Sequence, residues 1–197
     1  MPSVLRNLVV AAIATTATPL AAQEVAFAYQ DLTAKACRDT NPRPLHLRGD
    51  HDVTPYVCPP FAGYGVTFIE QPNFRDLRID PPGGKSAKPQ IHMVIGLGEK
   101  MEWRGRKNGD SIVPHAAFVR VRWLGATQKM RSLLTVLKVE KGQVCFAALI
   151  DATAHKNAND IARAAADSSV QQFTCGAKPV ILGEHTDAAI DTRDSVI

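Results

Sequence analysis

The sequence predicts an α+β domain dominated by β-structure. We expect a mainly antiparallel β-sheet or partly closed barrel, disulfide-stapled, with one packed C-terminal helix. Three observations carry this expectation. From Tyr56 to Asp151 the chain is a run of short segments in which apolar and polar residues alternate, separated by Gly, Pro, Asn and Asp. One stretch, opening at Asn157, instead has apolar residues at helical spacing. Four cysteines, Cys37, Cys58, Cys145 and Cys175, accompany an N-terminus that reads as an export signal.

That N-terminus, MPSVLRNLVVAAIATTATPLAAQ, has one positive charge (Arg6), an apolar run from Leu8 to Ala14 and small residues up to Ala22. This is the layout of a secretory signal peptide, predicted over residues 1–22, with cleavage after Ala22 or, as a fallback, after Ala28. The apolar run is too short for a permanent membrane span. A single exported domain is expected over 23–178, and a loosely attached tail over 179–197, disordered after His185. The expected location is the periplasm or the exterior of the cell.

Asp31–Arg38 (DLTAKACR) suggests one or two helical turns with Asp31 as N-cap. TNPRPLHLRGDHDVTP follows as a loop. GYGVTFIEQ puts Val66 and Phe68 on one face, and FRDLRID turns Leu77 and Ile79 inward. QIHMVIGLG is expected to align Ile91, Met93, Ile95 and Leu97. In KMEWRGR, Met101 and Trp103 share a side. In AFVRVRWL, Val119, Val121 and Trp123 oppose Arg120 and Arg122. RSLLTVLKVE and the nearly continuous apolar GQVCFAALID complete the series, the latter as a central strand. Asn157 then caps a helix whose Ala158, Ile161, Ala162 and Ala165 form one small-sided face. That helix is expected to act as a strut.

The cysteines allow three pairings. The sequential one, Cys37–Cys58 and Cys145–Cys175, is preferred because each pair brackets a compact segment. The chain has a net charge of +4, and losing Arg6 with the signal leaves 22 basic against 19 acidic residues, a net of +3. This slight excess favours anionic polymers or lipids and falls far short of a nucleic-acid binder.

Chemical motifs are sparse. GGKS at Gly83–Ser86 ends like a phosphate loop, but Ile79 stands where that motif needs its first glycine. DATAHKNANDIA fails as a calcium loop, with Lys156 and Ala162 at the positions of its Gly and Glu. His46, His51, Asp50 and Asp52 are the only local cluster with ligand chemistry, at a spacing that fits no defined metal site. Glu99 and Glu102 beside Trp103 suggest only faintly a carboxylate pair in an aromatic cleft. Neither a metal nor a cofactor is expected. The candidate binding patch is Arg104, Arg106, Arg120 and Arg122 with Trp123 as an aromatic edge, suited to carboxylate or phosphate groups.

Taken together, a cysteine after a short acidic segment, YVCPPFAGYGV, EWRG, PHAAFVRV and CFAALIDATAHKNANDIARAAAD…FTC resemble a group of small exported alphaproteobacterial proteins without assigned activity. The likeness runs from about Val25 to Cys175 and implies the same compartment, the same layout and the Cys145–Cys175 pairing. A second likeness, YVC followed by alternating strands, is to small disulfide-bonded periplasmic β-barrels that inhibit lysozyme. The expected function is an exported cell-envelope binding or interaction protein without catalytic activity. Its partner would be an envelope protein or an anionic wall polymer, with no nucleic acid and no membrane span. The alternatives are a periplasmic hydrolase inhibitor, an enzyme whose site is assembled only by the fold, and a metal or small-ligand carrier.

Overall fold

The computed structural model describes residues 24–124 and 129–184. The export segment 1–22 and residues 185–197 of the expected tail lie outside these. Among these described residues, eleven strands form two sheets. The first contains β1 (Val25–Asp31), β7 (Gly96–Asn108), β8 (Ser111–Leu124), β9 (Met130–Glu140), β10 (Gln143–Asp151) and β11 (Val180–Leu182), hydrogen-bonded in that order. The second contains β2 (Arg38–Asp39), β3 (Thr54–Phe61), β4 (Tyr64–Glu70), β5 (Arg75–Asp80) and β6 (Ile91–Val94). All pairs are antiparallel except β10–β11. The β-structure is therefore two open sheets rather than a barrel.

The alternation in the sequence explains the stacking. Val66, Leu77, Ile79 and Ile91 of the second sheet are fully buried against Met101, Trp103, Val121 and Leu137 of the first. Trp103 stacks on Phe61 at 4.8 Å and donates its indole N–H to Gln30 Oε1 at 2.7 Å. Gln30 in turn donates to Pro59 O at 2.7 Å, so the one polar group of this buried ring is satisfied and β1, β3 and β7 are tied together.

The other face of the first sheet carries the helix α1 (Ala158–Asp167), followed by the short α2 (Ser169–Gln172). Ala158, Ala162, Ala165 and Ala166 of α1 pack on Ala116, Phe118, Leu134 and Val136. Covered on both sides, β9 and β10 have no solvent face to make polar, which is why they read as apolar runs. Cys37–Cys58 links the turn after β1 to β3, and Cys145–Cys175 links β10 to the segment after α2. Both formed bonds are those of an oxidising compartment.

Four local expectations are corrected. After β1 the chain forms a turn rather than a helix, with Thr33 O accepting from Ala36 and Cys37 N–H and the Thr33 hydroxyl from Ala36 N–H, because β1 and its pairing with β7 extend through Asp31. The Ile91–Leu97 alternation breaks where the chain leaves the second sheet: Met93 has φ 53° and faces solvent, and Ile91 and Val94 are the buried residues. The irregularity is gripped by Asp76, which accepts from Met93 N–H at 2.7 Å and contacts His92 Nδ1 at 2.9 Å. In α1, Asn157 stands at the N-cap without a side-chain cap bond, and Ile161 is only half-buried while Ala166 takes its place in the packed face. Finally, the stretch from 179 begins with β11, parallel to Ala148–Ile150, so its first residues belong to the sheet.

Candidate functional site

The predicted arginine patch separates into parts. Arg104, Arg120 and Arg122 lie on the helix-bearing face of the first sheet, and strand alternation places Arg106 there too. Trp123 packs toward the core between the sheets, on the opposite face. Arg104 is committed: it donates to Asp167 Oδ1 at 2.8 Å, pairs again with Asp167 Oδ2, and reaches Glu102 at 3.0 Å. Glu102, almost fully buried, also accepts from Arg163 of α1 at 3.0–3.2 Å. Arg120 donates to Ser132 at 2.9 Å and Asn159 at 3.2 Å. Arg106 and Arg122 are exposed at different ends of the face. Ala116, the register partner of Arg104, is four residues from Arg120 on β8, roughly 13 Å at the usual strand rise. The face is thus an alternating-charge clamp that fastens α1 to the sheet.

Of the other sequence candidates, His46, Asp50, His51 and Glu99 are exposed, while Asp52 is engaged within its loop. Asp52 holds Arg43 at 3.0 Å and Gly49 N–H at 2.9 Å. Glu102 and Trp103 point to opposite faces, so the Glu102 carboxylate does not lie against that indole. Asp151 folds its own turn by accepting from Thr153 and Ala154 N–H, and His155 reaches Glu184 O at 2.8 Å. Among the described residues, no group of three or more His, Cys, Asp or Glu is placed to hold a metal ion, and no helix is long and apolar enough to cross a membrane.

The feature that sequence reading missed is a groove of about 810 Å³, a volume within the ~300–1,000 Å³ common for small-molecule sites. It arises because β11 pairs only with Ala148–Ile150 and leaves the first part of β10 uncovered. Its lining takes Val144 and Phe146 from that uncovered part, Pro81 and Pro89 from the β5–β6 loop, and Ala177 and Pro179 from the segment after Cys175. Lys85, Lys88 and His92 stand around it, and none of its lining residues is acidic. Lys85 and Lys88 are exposed, with no ion-pair or hydrogen-bond partner among the described residues. The acids adjoining the walls in sequence are occupied. Asp80 accepts from Ser86 N–H and lies 3.4 Å from Arg78, and Glu140 pairs with Lys138 at 2.5 Å.

Both walls are held in place before any ligand arrives. Ser86 donates to Ile79 O at 2.7 Å and Gln90 Oε1 accepts from Ile79 N–H at 2.6 Å. Gln90 Nε2 bonds Ser86 Oγ at 2.9 Å and Val144 O at 3.4 Å, tying the loop across to β10. The opposite wall follows directly from Cys175, whose disulfide anchors it to Cys145. The GGKS turn is thus a fixed groove wall with its lysine outward. Two lysines among prolines were its only sequence signal; their juxtaposition with Phe146 is tertiary. Compared with protein-family models, curated proteins and solved structures, the chain matches none.

Proposed function

We propose that the protein is an exported binding protein of the cell envelope, without catalytic activity, that holds an anionic partner at the groove between the β5–β6 loop and β10. The single observation carrying the reading is a pair of lysines, unpartnered among the described residues, beside a largely apolar, pre-fastened groove with no acidic residue in its described lining. A fixed site loses little conformational freedom on binding. Export is supported by the disulfides together with the signal-like first residues. Cleavage after Ala22 leaves β1 whole, whereas cleavage after Ala28 removes Val25–Ala28 and their pairing with β7. Arg104, Arg163, Glu102 and Asp167, which converge under α1, are engaged with one another in fastening the helix.

The test is sedimentation of the purified protein with envelope fragments of its host at low and high salt. The expected result is co-sedimentation at low salt, release at high salt, and loss in Lys85→Glu/Lys88→Glu. Equal sedimentation of that variant removes the groove as the interface.

A further inference from the structure

We infer that the groove's ligand is a single-chain anionic lipid, its acyl chain on the Val144–Phe146 floor and its head between Lys85 and Lys88; this rests on the groove being the binding site. The floor decides the class. The side chains of Pro81, Pro89, Val144, Phe146, Ala177 and Pro179 offer apolar contact and no hydrogen bonding. A sugar polymer needs aromatic platforms and free polar side chains. Phe146 is the one phenylalanine, tyrosine or tryptophan among the groove's lining residues, and Ser86 and Gln90 spend their polar atoms on Ile79, Val144 and each other.

The rim then sets the head group. Lys85 and Lys88 are three residues apart on one wall, so the positive charge is concentrated on the loop side, while Val144 and Phe146 on the β10 side are apolar. Such a polarity gradient matches a molecule with one charged end and one hydrocarbon end. Lysine ammonium groups act as mobile point charges and impose no planar fork, so they suit a carboxylate head held by charge rather than by fixed geometry. The uncovered β10 segment supplies a linear floor along which an extended chain can lie.

The experiment is calorimetric titration of the full mature protein with octanoate, decanoate and dodecanoate below their micelle concentrations, with dodecanol as the neutral-head control. Affinity is expected to rise about twofold to fourfold per added methylene, as burial of hydrocarbon requires. Dodecanol should bind more weakly than dodecanoate, and Lys85→Ala/Lys88→Ala should weaken dodecanoate about tenfold without altering the thermal midpoint. Ala177→Trp, which fills the groove from its exposed wall, should abolish binding in a protein with an unchanged circular dichroism spectrum. Absence of saturable dodecanoate binding, or affinity independent of chain length, overturns the lipid assignment. In that event, salt-sensitive sedimentation that is still lost in Lys85→Glu/Lys88→Glu leaves the anionic-partner reading standing. If sedimentation also survives that variant, both fall.

Discussion

Ala62 has φ 48° and Gly63 φ 84°, so the two-residue connection from Phe61 to Tyr64 is left-handed at both positions. This is the backbone of a type I′ hairpin turn, which matches the twist of its strands and favours Asn-Gly. An L-alanine pays a steric penalty there of about 1–2 kcal/mol, and asparagine relieves part of it through local hydrogen bonding. Ala62→Asn is therefore expected to raise stability by about 1 kcal/mol, read as a higher denaturation midpoint at constant slope. A midpoint that stays or falls contradicts the account. Gly105 is the opposite case. A Cβ there would meet Ile112 Cγ2 at 2.5 Å and Val113 C at 2.8 Å, with the Val113 carbonyl oxygen closer still. The obstruction is mainly backbone of the paired strand, beside the irregularity between Arg104 and Gly105, so it cannot rotate away. Gly105→Ala should cost about 1–3 kcal/mol or more, as overpacking does. An unfolding free energy within error of wild type would show that β7 and β8 can part without loss.

For the helix, packing and charge make separable contributions. Ala162 is fully buried against the sheet, whereas Ile161 is half-exposed. Ala162→Leu should cost about 1–3 kcal/mol by overpacking, and Ile161→Ala should cost clearly less than the ~2–5 kcal/mol of a fully buried isoleucine. If chemical denaturation reverses that order, the buried face of α1 is wrongly assigned. The polar side of the same interface gives a pH signature. His115 of β8 lies 3.5 Å from Asp167 of α1 and 3.4 Å from Gln171 of α2, and its buried Nδ1 has no partner among the described residues. Burial is the largest influence and lowers its pKa below the ordinary histidine value; Asp167 opposes this, and Arg106 and Arg104 of β7 reinforce it. The unfolded chain thus takes up the proton first as pH falls below about 6.5. Stability contributed by neutral His115 is present above that pH and is lost on going lower, toward the folded-state pKa. His115→Gln should therefore lose less thermal stability than wild type between about pH 7 and pH 5. Parallel losses would exclude His115 as a contributor. This element also shows what sequence can carry. Helical spacing revealed α1 and most of its alanine face, since period and side-chain size are local properties. Its ion pairs were not legible, because Glu102 and Arg163 lie 61 residues apart and meet only after β7 and α1 are juxtaposed.

At the scale of the whole molecule, the alternation from Tyr56 onward was sufficient for β4, β5, β7, β8 and β9, because each sheet has one face in the shared core, but it did not mark β3 or β11. It could not distinguish two open sheets from a barrel. That depends on Met93 breaking the register and on the chain crossing from β6 to β7, which a single left-handed residue and a buried Asp76 decide. The groove was less legible still, since it results from where β11 stops pairing along β10. The two disulfides act on different layers of this architecture. Cys37–Cys58 closes a separation of 21 residues at the second sheet, and Cys145–Cys175 closes one of 30 around α1 and α2. The loops follow one another without overlap, so restricting one in the unfolded chain leaves the freedom of the other intact. Loop-closure entropy gives about 3–4 kcal/mol for each and about 7 kcal/mol for both. The paired alanine replacements, alone and combined, should therefore be additive within about 0.5 kcal/mol by denaturant unfolding. A combined loss well short of the sum would mean that the layers already separate when one bond is absent. Because Cys175 leads directly into the Gly176–Pro179 wall, the second replacement alone should also loosen the groove. Dodecanoate binding is then expected to weaken in Cys145→Ala/Cys175→Ala and to persist in Cys37→Ala/Cys58→Ala, an asymmetry that global destabilisation by two similar bonds would not produce.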